Sequence, residues 1–492
     1  MISFSRKASL KKSWRYFSGI LLIMLSGVAL SQTLSSYPSA TGSPPGVSIP
    51  SAQGPFGGSV PPNERPTAET LSITFKDAID RGLQNNLGVL LQSDNTVAAR
   101  GQKWSELSNL LPNLSAGVSE SAAQINLVTF GFRFTNPAFA GIPTVVGPFG
   151  YFDSRFYLTQ NVFSWKDIQR VRGASSNEKA ARYSYQDARD LVVLAVGNAY
   201  LQALAGEARV QTAEAQVQTA QALYDKSVDQ QNAGVVPAID TLRSHVELQT
   251  RQQQLIVVRN DFAKEKLALA RAIGLAPGQA FSMADKAPYA PLTALGVDES
   301  LKRAYMSRSD YQAAQQQVRA AQLFRNAATA GYYPTVDVAA NYGDSGTTIG
   351  NSHGVFQVTG TLRIPIFAGG KVHSDVLEAE ADLKQSEQQL ANLRGQIDYD
   401  VRTALLDLNA AADQVEVARS SVDLANQTLT QARDRFAAGV TDNLEVIQAQ
   451  ESVASANENY ISSLYAHNLA KVELARAIGY AEDGVKQFLK SK

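Results

Sequence analysis

The sequence predicts a mainly α protein with a small β part, built by a tandem duplication, and three observations carry that prediction. Leu269-Ala270-Arg271-Ala272-Ile273-Gly274 recurs letter for letter as Leu474-Ala475-Arg476-Ala477-Ile478-Gly479, and at the same offset of 205 residues Ala233-Gly234-Val235 recurs as Ala438-Gly439-Val440. Val401, Leu408, Val415, Val422, Leu429 and Phe436 are spaced by seven, with Ile397, Ala404, Ala411, Ala418, Ala425 and Ala432 at the complementary steps. Such an a/d seam, with alanine filling one side, reads as long helices in close coiled-coil contact. Each half also holds two segments of period-two alternation, among them Asp153, Arg155 and Tyr157 against Phe152, Phe156 and Leu158, which is the signature of strands.

From the N-terminus, Arg6, Lys7, Lys11, Lys12 and Arg15 precede an apolar stretch from Ile20 to Leu30 that ends in small residues. This reads as a cleavable export signal over 1–31, shorter than the roughly 20 apolar residues of a spanning helix. A Pro/Gly/Ser-rich segment, 32–70, has no hydrophobic period and reads as a disordered leader. The first repeat covers 71–275, with helices near 74–110, 166–231 and 237–273 and strands near 113–134 and 151–163. A mid-height linker, 276–298, leads to the second repeat, 299–480, with helices near 299–331, 371–436 and 442–478 and strands near 335–344 and 354–367. Residues 481–492 form a C-terminal tail. Pro112 and Pro334 stop the helices that lead into the strands, because proline disfavours helical geometry in the residue before it.

Composition narrows the function. Lys+Arg and Asp+Glu are both 45, so no basic excess invites nucleic acid. Cysteine is absent, which removes disulfides, thiol nucleophiles and cysteine-ligated metals. The four histidines, 245, 353, 373 and 467, have no zinc-ligand spacing. Gly343-Asp344-Ser345-Gly346 superficially resembles a serine nucleophile motif but reads better as a turn between strands. No catalytic, cofactor or metal site is expected, and the chain is not expected to be an enzyme. Past the signal no stretch reads as a transmembrane helix, so an exported chain that enters a membrane does so with strands. Four strands cannot close a barrel, so several chains share one, and three would supply twelve strands. Phe130, Phe132, Phe134, Tyr151, Phe152, Phe156 and Tyr157 would suit an aromatic girdle.

The ordered set of landmarks resembles the TolC-type outer-membrane efflux family: Leu110-Leu111-Pro112 entering the first strand, Ile364-Pro365-Ile366-Phe367 leaving the fourth, and Arg435-Phe436-Ala437-Ala438-Gly439-Val440 with Leu444-Glu445-Val446 at the hairpin tip. The resemblance covers about 71–480 and implies a TolC-like α-helical barrel joined to a shared transmembrane β-barrel, four strands per chain, in a homotrimer. It implies an outer-membrane channel subunit of a tripartite efflux or type I secretion system, with outer-membrane lipid around the strands and a large periplasmic part. A periplasmic membrane-fusion adaptor and an inner-membrane transporter would be its partners. Carried over by position, Glu445 stands at the first acidic place of the periplasmic entrance and Gln448 at the second. Phe436 replaces the family's tyrosine and Thr441 its arginine, while Asp240 matches the acidic residue of the first-repeat tip. The turns Gly234-Val235 and Gly439-Val440 would dock the adaptor. Asp442-Asn443-Leu444-Glu445 also fits a plain helix capping box. The competing reading is a periplasmic coiled-coil adaptor or structural protein, although adaptors carry one helical hairpin where this chain has two.

Overall fold

Eight helices and six strands follow from these patterns in a computed structural model that describes residues 55–62, 66–131, 143–285, 296–482 and 484, all within the unit Gly46–Lys492. The signal segment and most of both the leader and the C-terminal tail lie outside the described residues. Strand β1 (Leu71–Ile73) precedes helices α1 (Phe75–Asn85) and α2 (Leu87–Ser108). Strands β2 (Asn113–Asn126) and β3 (Val145–Phe163) lead into α3 (Trp165–Asn232) and its antiparallel partner α4 (Ala238–Ile273). The linker holds β4 (Phe281–Met283), and the second repeat follows with helices α5 (Val297–Ser307) and α6 (Ser309–Thr329), then β5 (Thr335–Gly346) and β6 (Ser352–Arg363). It closes with α7 (Lys371–Ala437) and α8 (Asn443–Ala477).

The expected single helices at 74–110 and 299–331 are each broken in two. Asn86 (φ −67°, ψ 130°) ends α1 and starts α2, its side-chain oxygen accepting from the Gly88 N–H at 2.9 Å. Arg308 (φ −63°, ψ 121°) does the same between α5 and α6, with its guanidinium on Asp310 and Asp400. Asn86 and Arg308 are 222 residues apart, as are Pro112 and Pro334, so the breaks are equivalent features of the two repeats. Neither residue is proline or glycine, and both breaks are made by tertiary partners.

The leader also departs from expectation over its described part. Pro55–Gly57 forms a 3₁₀ turn, Ser59 bridges to Asn86, and the Leu87 N–H donates to the Gly58 carbonyl at 3.0 Å. The segment thus satisfies backbone groups that the Asn86 break frees. Nearby, β1 pairs in parallel with β4, which ties the start of the first repeat to the linker ahead of the second.

At 1.5 Å per residue α3 and α7 each run about 100 Å, with strands at the N-terminal end and a tight turn at the C-terminal end. The main core lies around the middle of α3, where Val192, Val193, Leu194, Val196 and Tyr200 meet Phe75, Ile79, Leu269, Ile273 and Val472. The Tyr200 hydroxyl donates to the Ile73 carbonyl or Asp285, at 3.1 and 3.0 Å. This central stretch makes α3 apolar and long enough to cross a membrane by composition, but most of it is buried in the protein. The heptad seam packs as read: Ile397, Val401, Ala404, Leu408, Ala411, Val415, Ala418, Leu429, Ala432 and Phe436 are all buried, with Val422 and Ala425 partly so.

The four long strands form one antiparallel sheet in the order β2-β3-β5-β6. Gly343 to Gly346 belong to β5 itself, so the expected turn there is a strand end and the connection follows it. Directly paired residues share a face. Phe156, Tyr342 and Phe356 lie abreast on one side, as do Leu158, Ala340 and Val358, while Tyr157, Asn341 and Gln357 lie on the other. The sheet therefore has one apolar and one polar side, the alternation expected of strands that separate lipid from a pore. Of the expected girdle, Phe152 and Phe156 are on the apolar side, whereas Tyr151 and Tyr157 are on the polar side. Phe130 is in a 3₁₀ turn, and Phe132 and Phe134 lie outside the described residues.

Candidate functional site

The helical tips bring together most of the residues singled out in the sequence. At the end of α3, Gly234 (φ 72°) donates to the Gln231 carbonyl and Val235 to the Gln230 carbonyl, both at 2.9 Å. At the end of α7, Gly439 (φ 70°) donates to Phe436 at 3.1 Å and Val440 to Arg435 at 3.0 Å. This is the same Schellman turn twice, and the positive φ is what calls for glycine. A Cβ at either glycine would meet open space. Each turn presents one bare valine, Val235 at 67% and Val440 at 69% exposure.

Behind the turns, the two hairpins are joined by buried polar bonds. Asn443, fully buried, donates through its amide nitrogen to the Asp240 carbonyl at 2.6 Å and to Ser244 Oγ at 2.9 Å. Ser244 in turn lies 2.9 Å from Ser227 Oγ. Asp240 is buried and accepts from Arg243 at 3.3 Å, and the same guanidinium reaches toward Asp442 at 3.9 Å. Phe436 is buried with Leu223, Leu429, Ala432, Val446 and Ala449, and the Lys226 ammonium lies 5.5 Å from its ring centroid. Thr441 is half-buried and Gln448 exposed.

Glu445 departs from the capping-box reading. Asp442 caps α8 by accepting from the Leu444 N–H at 3.2 Å, but Glu445 does not return to complete a capping box. It forms an ion pair of 3.0 Å with Arg435, on the α7 side of the turn. Sequence reasoning missed Asn443, Arg243 and the Arg435 partnership. Ser227 is the counterpart of Ala432 at the offset of 205, a polar residue on the small side of the seam.

Higher up, α3, α7 and α8 diverge around a groove of about 740 Å³ with Gln211, Asn426, Arg433, Gln450 and Tyr460 on its walls. The Gln450 side chain is buried and neither of its amide atoms has a protein partner. Above that lies a buried charge cluster. Arg476 binds Asp187 at 2.5 Å, and burial pushes the nearby Asp190 carboxyl up to about 6. On α8, burial and then the charge of Asp407 raise Glu473 to about 7, while burial lowers Lys471 to about 8.

Comparison with known proteins agrees with this architecture. The family model described as outer membrane efflux protein matches residues 83–275 and 301–480, one span per repeat. The chain is 22% identical over 350 residues to outer membrane protein TolC of Escherichia coli, covering 65% of this chain and 68% of that one. It is 22% identical over 428 residues to the toluene efflux pump outer membrane protein TtgF of Pseudomonas putida, covering 84% and 85%. Among solved structures, the outer membrane channel CmeC of Campylobacter jejuni superposes with a TM-score of 0.72 at 16% identity, over 90% of this chain and 97% of that one. The outer membrane protein VceC of Vibrio cholerae gives 0.70 at 20% identity, over 82% and 96%.

Proposed function

Because the chain belongs to the outer membrane efflux protein family, we propose that it works as a homotrimeric, non-catalytic conduit entered at the helical tips and left through a shared β-barrel. The observation that carries this reading is the sheet. Among the described residues its order leaves one edge of β2 and one edge of β6 without partners, and unpaired backbone edges are not tolerated in lipid. Three copies joined β6 to β2 remove every edge and give a barrel of twelve strands, within the range of outer-membrane barrels. The alternative of a periplasmic adaptor gives way to the family membership and to the lipid-facing apolar side of the sheet.

The tips support the finer assignment. Val235 and Val440, repeated and bare at the ends of two hairpins, are suited to a periplasmic membrane-fusion adaptor that couples the channel to an inner-membrane transporter. Asp240, Phe436, Thr441, Glu445 and Gln448 surround the same ends and form the periplasmic entrance. Asn443 and Ser244 hold the two hairpins of a protomer together, so the entrance opens by movement of this joined pair. The mass of the detergent-solubilised complex tests the assembly: a trimer that survives mild detergent is expected, and a stable, ion-conducting monomer would refute it.

A further inference from the structure

The pore side of the sheet carries Asp337 and Arg363 toward the helices and His353 across from Ser345, and between them Asp153 and Arg155 form one cluster. Arg155 donates to Asp153 and to the Tyr151 hydroxyl at 3.1 Å, and its other terminal nitrogen lies 3.5 Å from the Asn341 oxygen. The Tyr151 hydroxyl lies 3.0 Å from Asp153 and 3.1 Å from Ser345 Oγ. Asp153 is thereby covered: its side chain is 11% exposed, that of Arg155 21%. The Arg155 side chain is the more exposed member of the pair, although its Nε is buried.

The strand register clears the space around Arg155. Its two neighbours across the ladders are Gly117 and Gly343, while those of Asp153 are Ser119 and Ser345. A Cβ at Gly343 would fall 2.0 Å from the Ser154 carbonyl oxygen, so β3 and β5 approach closely there. No side chain directly across either ladder screens the guanidinium from the pore.

Register also gives its depth. On the lipid side the apolar rows end with Phe156, Tyr342 and Phe356, and the next row outward from α3 holds Ser154, Asp344 and Gly354. A carboxylate on the lipid side belongs at the headgroups, not in hydrocarbon. Asp153 and Arg155 flank that row on the pore side, near the remote end of the four-stranded part, which closes at Phe152 and Gly346 while β2 and β3 run on beyond it.

We propose that Arg155, held by Asp153 and Tyr151 at the outer rim of the barrel, sets the charge preference of the channel's outer mouth in favour of anionic groups. This rests on the barrel reading above. Three copies around one axis place three guanidinium groups on a low-dielectric wall, where a narrow opening concentrates their field.

The absence of cysteine makes the mouth addressable. Gln357 is on the pore side abreast of Asn341, and Val358 is on the lipid side. In whole cells, Gln357→Cys is expected to react with water-soluble thiol reagents and Val358→Cys is not. The anionic reagent should react faster than its cationic counterpart. Arg155→Gln should lower the anionic-to-cationic rate ratio by about tenfold, the low end of what a focused field does to charged reactants. Asp153→Asn should raise the ratio, and Arg155→Lys should keep it, separating loss of charge from loss of fold. A ratio unchanged in both Arg155→Gln and Asp153→Asn would overturn the proposal and leave the cluster as a strand fastener. A reactive Val358→Cys with an inert Gln357→Cys would instead overturn the barrel reading, and the proposal with it.

Discussion

The two repeats share landmarks and connectivity, yet they are buried in opposite places. In the first repeat the strand-proximal part of α3 lies between α2 and α6, with Gly173, Ala174, Ser176, Glu178 and Ala180 buried. Its counterpart in α7, residues 371–396, has α6 on one side and contains no buried residue. Beyond the middle the order reverses. The end of α8 is enclosed throughout 467–478, whereas α4 shows Leu242, Val246, Ile256 and Leu267 to the outside. Lys266 and Lys471, equivalent at the offset of 205, make the point at one residue. Lys266 is half-buried, donating to the Phe281 carbonyl at 2.6 Å over that residue's ring, while Lys471 is 1% exposed. Duplication supplied two similar strips, and position in the sheet order decided which became core and which became edge. In the trimer proposed above, the exposed strips, upper α7 and α4, are the surfaces left for neighbouring copies.

The largest effect should come from breaking that edge. Leu377 on α7 is 54% exposed in the single chain. Leu377→Glu should leave an exported, protease-resistant chain but no trimer, because three buried charges would be introduced at one ring of contacts. Ala174→Glu, in the enclosed counterpart, should lose the folded chain itself. Native mass and limited proteolysis distinguish the two outcomes. If Leu377→Glu still assembles, upper α7 faces solvent and the contrast between repeats has no assembly meaning.

A smaller effect is expected where the repeats agree. Ala213 and Ala418, equivalent at the same offset, are both buried on the small side of the seam. Replacing either with Leu should overpack a close helix contact and destabilise by about 1–3 kcal/mol. Similar losses in thermal unfolding would confirm a shared register, and a loss in one repeat alone would show that the seam is tight only there.

How much of this was legible in the sequence follows from the range of each interaction. The seam and the glycine turns are local patterns, and α3, α4, α7 and α8 lie within about a residue of their expected bounds. The breaks at Asn86 and Arg308 were not legible, because their causes are the leader at Phe56 and the carboxylate of Asp400, each distant in sequence. β1 and β4 are three residues each, too short for a periodic signal. At the tip, Glu445 and Asp240 were visible as acids, but their partners depend on how the turns fold back. Asn443 looked like any polar residue in a cap until Asp240 and Ser244 were brought beside it.

Acidity sharpens the comparison further. Glu473 corresponds to Ala268 in the first repeat, so this buried carboxyl belongs to the second repeat alone. Burial, then Asp407, raises it from 4.5 to about 7. The folded state therefore holds more protons than the unfolded one between those values, and stability falls as pH rises through that window. Asp190, raised from 3.8 to about 6 mainly by burial, acts in the same sense over its own lower window. Thermal unfolding should occur at a higher temperature at pH 5 than at pH 7.5, and Glu473→Gln should shrink the difference by about a degree or two, since 1 kcal/mol moves so long a chain by only about 1 °C. An unchanged difference in the variant would assign the pH dependence elsewhere.

The smallest expected change in stability, and the most informative for the entrance, lies at the two equivalent acids of the tips. Asp240 and Glu445 are 205 residues apart, and the residues three positions on are Arg243 and Gln448. Asp240 therefore pairs within its own helix and is buried there. Glu445 lacks that partner and reaches across the turn to Arg435, with side chains 36% and 57% exposed. Exposed pairs of this kind contribute little to stability, so Glu445→Gln should leave trimer yield and thermal unfolding unchanged. Its electrical effect should be larger than its structural one, because removing three carboxylates leaves three Arg435 guanidinium groups unopposed near the axis. Cation selectivity in planar bilayers should fall, and Arg435→Gln should raise it. Asp240→Asn, by contrast, should disturb the Arg243 contact and the joined hairpins while barely moving the reversal potential, since its charge is already buried and matched. If Asp240→Asn shifts selectivity as strongly as Glu445→Gln, both acids face the pore, and the distinction between a structural acid in the first repeat and an entrance acid in the second is lost.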